Sequence, residues 1–370
     1  MNADQRRTDP LDDPSIDPLE VPAVDPLLDR EHHWPPVSVV MPVRNEARDL
    51  LESVEQILGQ EYGGELEVVL AVAPSTDGTE RIADELAAAD PRVRVVANPV
   101  GRTPAGLNAA IAAARHDVIV RVDGHGILTP GYVTRAVQLL ESTGAANVGG
   151  VMLAVGQSGF EQAVAHAYRS RVGLGSAQFH VGGEEGPADS VYLGVFRREV
   201  LEGLGGFDEH FHRAQDWELN HRIRSSGGVV WFSPDLGVTY RPRSSWVDLV
   251  QQFFHTGRWR REVIRRHPET VSPRYLAPPT VTAAVLVGTV AGVAGAVTAT
   301  PWLRWGWLAP LGYAAGVTVA SQLGTRELSW RARAWLPAVL ATIHLGWGSG
   351  FLFGRRPVRP ASEPVEHEAR

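Results

Sequence analysis

The chain contains no cysteine and no lysine. The first absence excludes disulfides and thiolate metal sites. The second leaves arginine to carry all 35 basic charges, a matter of composition with no functional reading. Also missing is the Gly-x-Gly-x-x-Gly turn of a dinucleotide fold; Pro42-Val43-Arg44-Asn45-Glu46 stands in its place. No Walker sequence occurs, so a nucleotide site must be of another kind. Residues 1–34 lack an apolar segment and so do not read as a signal peptide. They hold nine acids against three arginines, which is −6 of the net −7. Rich in proline and without periodicity, residues 1–34 read as a disordered acidic tail, with the folded part beginning in the cytosol.

Charge is absent from three long stretches near the other end: Tyr275–Leu303 (29 residues), Trp305–Thr325 (21) and Ala334–Gly354 (21). Each is long enough to span a bilayer core. Trp302, Trp305, Trp307, Trp330, Trp335 and Trp347 cluster mostly near their ends, as interfacial aromatics do. These stretches predict a membrane region over 278–354 with two to three spans, followed by a tail over 355–370. Arg326, Arg331 and Arg333 suit the cytosolic side, and a third full crossing would then place Arg355, Arg356 and Arg359 outside. A re-entrant third segment, permitted by Gly346, Gly348 and Gly350, would avoid that. Just before the first stretch, residues 241–275 hold eight arginines against three acids, interleaved with Phe253, Phe254 and Trp259. Residues 241–277 are therefore expected to form a basic interfacial segment on anionic headgroups.

What fills the rest is an alternation of strand and helix. Val37–Val43, Leu66–Ala73, Arg92–Ala97 and Val118–Val122 are apolar, β-branched runs; Glu46–Gly59, Thr79–Ala89 and Ala105–Arg115 lie between them with helical spacing. Such units imply a parallel sheet with right-handed crossovers. After residue 126 the pattern becomes mixed, with helices expected over Tyr132–Ser142, Arg198–Leu204 and Asp216–Ser225, and strands over Asn147–Val155, Val191–Phe196 and Val229–Phe232. Residues 156–190, rich in glycine, are expected to be a mobile loop.

Asp123-Gly124-His125 closes the strand Val118–Val122, where ligands of open α/β sheets bind. A carboxylate and an imidazole two positions apart suit one divalent cation. Mn²⁺ accepts both ligand types, whereas Mg²⁺ prefers oxygen. Taken alone, Asp-Gly is equally a common turn.

Several further motifs follow in order. They are Val39-Val40-Met41-Pro42-Val43-Arg44-Asn45-Glu46, Ser75-Thr76-Asp77-Gly78-Thr79, Asn98-Pro99, Gly106-Leu107-Asn108-Ala109-Ala110, Gly205-Gly206-Phe207-Asp208-Glu209, Asp216-Trp217-Glu218-Leu219 and Gly257-Arg258-Trp259. With Arg121-Val122-Asp123-Gly124-His125 they make the chain resemble the family 2 glycosyltransferases, in particular the membrane-attached succinoglycan-biosynthesis type. The resemblance covers residues 37–355 and implies a GT-A fold (nucleotide-diphospho-sugar transferase) over 35–240: a mixed α/β sheet with flanking helices, plus C-terminal transmembrane helices. It implies an inverting transfer from a nucleotide-diphospho-sugar donor. Asp123 and His125 would be metal ligands at the place of the family's Asp-x-Asp, and Asp216 the general base. Pro42, Arg44, Glu46, Ser75, Asp77, Arg102 and Asn108 would bind the nucleotide sugar, and Glu218, Arg258 and Trp259 the acceptor and diphosphate. A divalent cation, Mn²⁺ rather than Mg²⁺, a polyprenyl-linked acceptor and membrane lipids are the implied partners, with no nucleic acid. The implied location is the cell membrane, multi-pass, with the catalytic domain cytoplasmic. Transfer directly to polyprenyl phosphate, or a non-catalytic sugar-nucleotide-binding role, remains open at this point.

The chain departs from the family in three places. Val72-Ala73-Pro74-Ser75 replaces the usual Asp-Asp-Gly-Ser, so the carboxylate that reads the base is missing. His125 replaces the second metal-motif Asp, and Gln215 the Glu before Asp216. Gln252 precedes Arg258 by six positions, so the Gln-x-x-Arg-Trp motif of processive synthases is not intact and a single sugar is expected per acceptor.

Overall fold

The computed structural model describes residues 34–355. The acidic tail expected over 1–34, apart from Trp34, and the tail from 356 onward lie outside these residues.

Seven elements open the fold: β1 (Val37–Val43), α1 (Leu50–Leu58), β2 (Leu66–Val72), α2 (Thr79–Ala89), β3 (Val93–Ala97), α3 (Thr103–Ala113) and β4 (Val118–Arg121). The strands are parallel in the order β3-β2-β1-β4. Most side chains of β1, β2 and β4 are buried, because helices cover both faces of the sheet. The strand order reverses between β1 and β4, and a crevice opens at their carboxyl ends.

The second half supplies β5 (Ile127–Leu128), α4 (Tyr132–Thr143), β6 (Asn147–Ala154), α5 (Gly159–Arg169), α6 (Gln178–Val181), β7 (Gly186–Pro187), β8 (Tyr192–Arg197), α7 (Arg198–Gly203), α8 (Gln215–Ser225) and β9 (Val230–Tyr240). β8 runs antiparallel between β4 and β6, β6 pairs parallel with β9, and β5 and β7 border β9. The sheet is thus mixed, as the resemblance implied.

One expectation is corrected here. Residues 156–190 are not a continuous loop, for they contain α5. Ser158 accepts a hydrogen bond from the Glu161 N–H, and the Glu161 carboxylate accepts one from the Ser158 N–H, closing a capping box. Phe160, Ala163, Val164, Ala167 and Tyr168 then fall on one buried face.

The C-terminal part holds α9 (Trp246–Arg266), α10 (Pro273–Val297), α11 (Leu308–Ala320) and α12 (Trp330–Phe353). Among the described residues, α10 and α12 are the two helices long and apolar enough to cross a membrane. The second uncharged stretch is not one long α-helix. It forms a 3-10 turn, Pro301–Trp307, and then α11 with 13 residues. At 1.5 Å per residue, α11 is about 20 Å long, short of a hydrocarbon core of about 30 Å. The third stretch, for which crossing and re-entry were both open, is the continuous helix α12. It lies against α5 and α9, and Leu336, Val339, Leu340, Ile343 and Trp347 share one core with Met152, Phe160, Val164, Leu249 and Phe253. α10, by contrast, leaves Leu286, Val287, Val290, Val293 and Val297 exposed.

Candidate active site

The crevice at the ends of β1 and β4 continues into a cavity of about 540 Å³ that reaches α8, α9 and the first turn of α10. Of the residues expected to act, Pro42, Glu46, Asp123, His125, Asp216 and Trp259 line it.

Arg121, which heads the motif Arg121-Val122-Asp123-Gly124-His125 but was given no role, lines it too. Arg121 is 2% exposed and sits at the end of β4. Its Nη2 donates to Asp123 Oδ1 at 2.9 Å, and its Nη1 pairs with Asp216 Oδ1. One guanidinium therefore joins the carboxylate after β4 to the carboxylate in the first turn of α8, and it neutralises the repulsion between them. Burial alone would raise the Asp123 carboxyl; Arg121 and His125 outweigh it and hold the group below the usual carboxylate range. The signal for Arg121 was its position, a charge interrupting the run Val118–Val122.

His125 Nδ1 lies 3.0 Å from Glu46 Oε1. Burial would lower this imidazole, but Glu46 and Asp123 carry it above its ordinary value. A carboxylate on one ring nitrogen fixes the ring and leaves the other as ligand, the arrangement found around protein-bound metals. Among the described residues nothing bonds His125 Nε2. The donor set of Asp123 oxygen and His125 nitrogen thus fits a divalent cation.

The remaining expected residues lie outside the cavity lining, and most are engaged in holding loops. Ser75 Oγ accepts from the Asn45 N–H at 3.1 Å, and Asp77 accepts from the Ala47 N–H at 3.0 Å and from the Thr79 hydroxyl at 2.6 Å. Arg44 reaches the Gly101 carbonyl at 3.1 Å. The Asn108 amide pairs with both backbone groups of Phe207, at 2.9 and 2.8 Å. A Cβ on Gly206, which sits at φ +73, would meet that amide. Glu218 is 2% exposed and bonded twice to Arg222 at 2.7 Å, while Arg222 also holds the Leu204 and Gly206 carbonyls. Two positions from Asp216, Glu218 falls on another side of α8. Arg102 stands at the start of α3, and Arg258 lies on α9 one residue before Trp259. Trp259 packs with Phe211 and Trp217, so it also fixes the loop that leads into α8.

Four further arginines line the cavity: Arg213, Arg243, Arg260 and Arg274. Three of them belong to the basic stretch expected to face headgroups. Among the described residues none of the four has an ion pair with a carboxylate. Arg213 is held below its usual value by burial and by Arg243, and Arg243 also acts on His125. Arg260 is pushed down to about 10, chiefly by burial.

Comparisons with known proteins identify the family. The sequence model of glycosyl transferase family 2 matches residues 38–205. The succinoglycan biosynthesis protein ExoA of Rhizobium meliloti is 33% identical over 85% of this chain and 93% of its own. The glycosyltransferase AglE of Haloferax volcanii is 24% identical over 60% of this chain and 72% of its own. Among solved structures, the mannosyltransferase PcManGT of Pyrobaculum calidifontis, in complex with GDP-Man and Mn²⁺, superposes with a TM-score of 0.53 at 20% identity. That likeness covers 86% of this chain and 88% of the other, and it shows the shared GT-A fold.

Proposed function

The chain belongs to glycosyl transferase family 2, and from that premise we propose that it is an inverting, metal-dependent enzyme. It moves one sugar from a nucleotide-diphospho-sugar to a lipid-linked saccharide in cell-surface polysaccharide assembly. ExoA, similar over nearly its whole length, is named for succinoglycan biosynthesis, which supports the polysaccharide reading. The observation that carries the chemistry is the joining of Asp123 and Asp216 through Arg121 in the wall of one cavity that His125 also lines.

Asp123 and His125 would hold the divalent cation, which neutralises charge on the departing diphosphate. Arg213 and Arg243 line the same cavity, and guanidinium pairs well with phosphate oxygens. Asp216 takes the proton of the acceptor hydroxyl as that oxygen attacks the anomeric carbon from the face opposite the leaving group. One base suffices for inversion, and no covalent nucleophile is required. Arg121, paired with Asp216 Oδ1, holds that carboxylate at the cavity wall.

The exposed apolar side of α10 and the exposed Trp302 and Trp305 support insertion of this region into a bilayer; the catalytic domain is placed on the cytoplasmic face as part of the same proposal. That position brings the cavity mouth to a lipid-linked acceptor.

The decisive test is Asp216→Asn in the full chain, assayed with membranes and a panel of sugar nucleotides. Transfer should fall by about 10² or more, in the range of general-base losses, while binding of the donor persists. Turnover near the wild-type rate would remove Asp216 from this role.

A further inference from the structure

We propose that Arg260 and Arg274 form a second anion subsite of the cavity, which takes the phosphate or diphosphate of an isoprenoid-linked acceptor. This assignment rests on the glycosyltransferase reading above and names the part of the acceptor that the enzyme grips.

Both guanidiniums gather on one aromatic ring. Arg260 Cζ lies 3.9 Å from the ring centre of Tyr275, and Arg274 Cζ lies 4.6 Å from it. Tyr275 is the third residue of α10, whose exposed apolar face begins two to three turns further on. Two cations at the root of an apolar helix stand where the headgroup of a lipid would stand, with its chain able to follow Leu286, Val287 and Val290. Asp123, His125 and Arg243, the groups suited to the donor diphosphate, line the same cavity.

The pair is also incompletely satisfied. Arg260 Nε and Nη1 are shut off from solvent with no hydrogen-bond partner. Burying a guanidinium's donors without partners is costly, and burial lowers this group to about 10. Stacking accounts for part of the arrangement, since Arg260 Cζ also lies 4.7 Å from the Trp217 ring centre. It leaves the two N–H groups unanswered; because Nε and Nη1 lie on different edges of the guanidinium, a phosphate would bond one of them together with Nη2. Trp217 directly follows Asp216. Asp216 and Arg260 line the same cavity, so a sugar attached to an anion at Arg260 has the proposed base within that cavity.

The test uses the full chain in detergent with farnesyl diphosphate as probe, alongside farnesol, inorganic pyrophosphate, UDP and GDP. Wild-type protein should bind farnesyl diphosphate more tightly than pyrophosphate and should not bind farnesol. Arg260→Met keeps the stacking bulk, and Arg274→Gln changes the second group. Each should weaken farnesyl diphosphate about tenfold or more, the loss of one charge-assisted hydrogen bond. Nucleoside diphosphate affinity should change much less. Arg260→Lys should recover part of the affinity, and Arg274→Gln decides alone if Arg260→Met does not fold. Equal loss for UDP or GDP would assign the arginines to the donor, and pyrophosphate binding as tight as farnesyl diphosphate would remove the lipid; either result overturns the proposal. So would unchanged farnesyl diphosphate binding in the variants. Arginine-dependent binding by a wild-type protein that turns over no sugar nucleotide would instead overturn the enzyme reading and spare the subsite.

Discussion

At the residue scale, Glu46 governs the proposed metal site without being a ligand. Its carboxylate, 3.0 Å from His125 Nδ1, sets the tautomer and the aim of the ring. Glu46→Gln should raise the Mn²⁺ concentration needed for half activation by about tenfold to a hundredfold, the usual cost of losing such a partner. Titrating nucleotide release against Mn²⁺ measures it, and an unchanged curve would show that His125 is not held for metal. A second carboxylate acts far from the chemistry. Glu67, 3% exposed on β2, accepts from Ser38 Oγ and from the Arg115 N–H, both at 2.7 Å, and from Arg94 at 3.2 Å. Burial works to raise it, but these hydrogen bonds prevail and its carboxyl lies below the ordinary 4.5. The folded state therefore holds the ionised form more firmly than the unfolded chain does. The stability so contributed is complete above the unfolded value and is lost as pH falls toward the folded one. Thermal melts of Glu67→Gln should start lower than wild type at neutral pH and decline less steeply below about pH 4.5. Parallel declines would mean that Glu67 does not titrate differently on folding.

At the element scale, the crossing of α9 and α12 depends on two glycines. A Cβ on Gly257 would collide with the Trp347 carbonyl oxygen, and one on Gly350 with that of Phe254. Gly350→Ala gains about 1 kcal/mol of helix propensity, but forcing the helices apart costs about 1–3 kcal/mol. The net effect should be a lower melting temperature. Activity should fall too, because α9 also carries Phe253 and Trp259 in the cavity wall. A variant melting at or above wild type would show that the two helices part freely. How far such elements can be read from sequence differs by kind. The strands β1, β2 and β4 and the helices between them were legible, since apolar periodicity reports burial directly. α5 was equally marked, by Ser158 and Glu161 and by Phe160, Ala163, Val164, Ala167 and Tyr168, but the glycines around it masked the pattern. The second uncharged stretch shows a different limit. Length without charge does not tell that its first residues form the end of a 3-10 helix, Pro301–Trp307, ahead of α11. Asp123, His125 and Asp216 were visible because their motifs are local. The linkage through Arg121, and the inward turn of Arg243, Arg260 and Arg274, depend on contacts between distant elements that spacing does not encode.

At the scale of the whole molecule, the catalytic domain and the C-terminal helix α12 share one hydrophobic core. α12 is apolar enough to cross a bilayer, yet Leu336, Val339, Leu340, Ile343 and Trp347 are buried against α5 and α9. α10 and α11 offer their apolar surface outward instead, through Leu286, Val287, Val290, Leu308 and Leu311. The boundary between enzyme and membrane part therefore does not fall at the end of the sheet. Cutting the chain after Thr270, the obvious way to seek a soluble enzyme, would strip α12 from the shared core. Five large apolar side chains at about 1.5–3 kcal/mol each approach the roughly 5–15 kcal/mol that separates a folded domain from its unfolded state. The truncated chain should lack a cooperative thermal transition, expose α5 and α9 to protease, and lose donor binding although every expected donor residue is retained. A monodisperse truncated protein with a sharp melt and wild-type affinity for the donor would show that α12 is an appendage. The opposite result would mean that acceptor access and domain stability are coupled, because α9 and the root of α10 form the cavity wall nearest the lipid and pack on the same helix that closes the core.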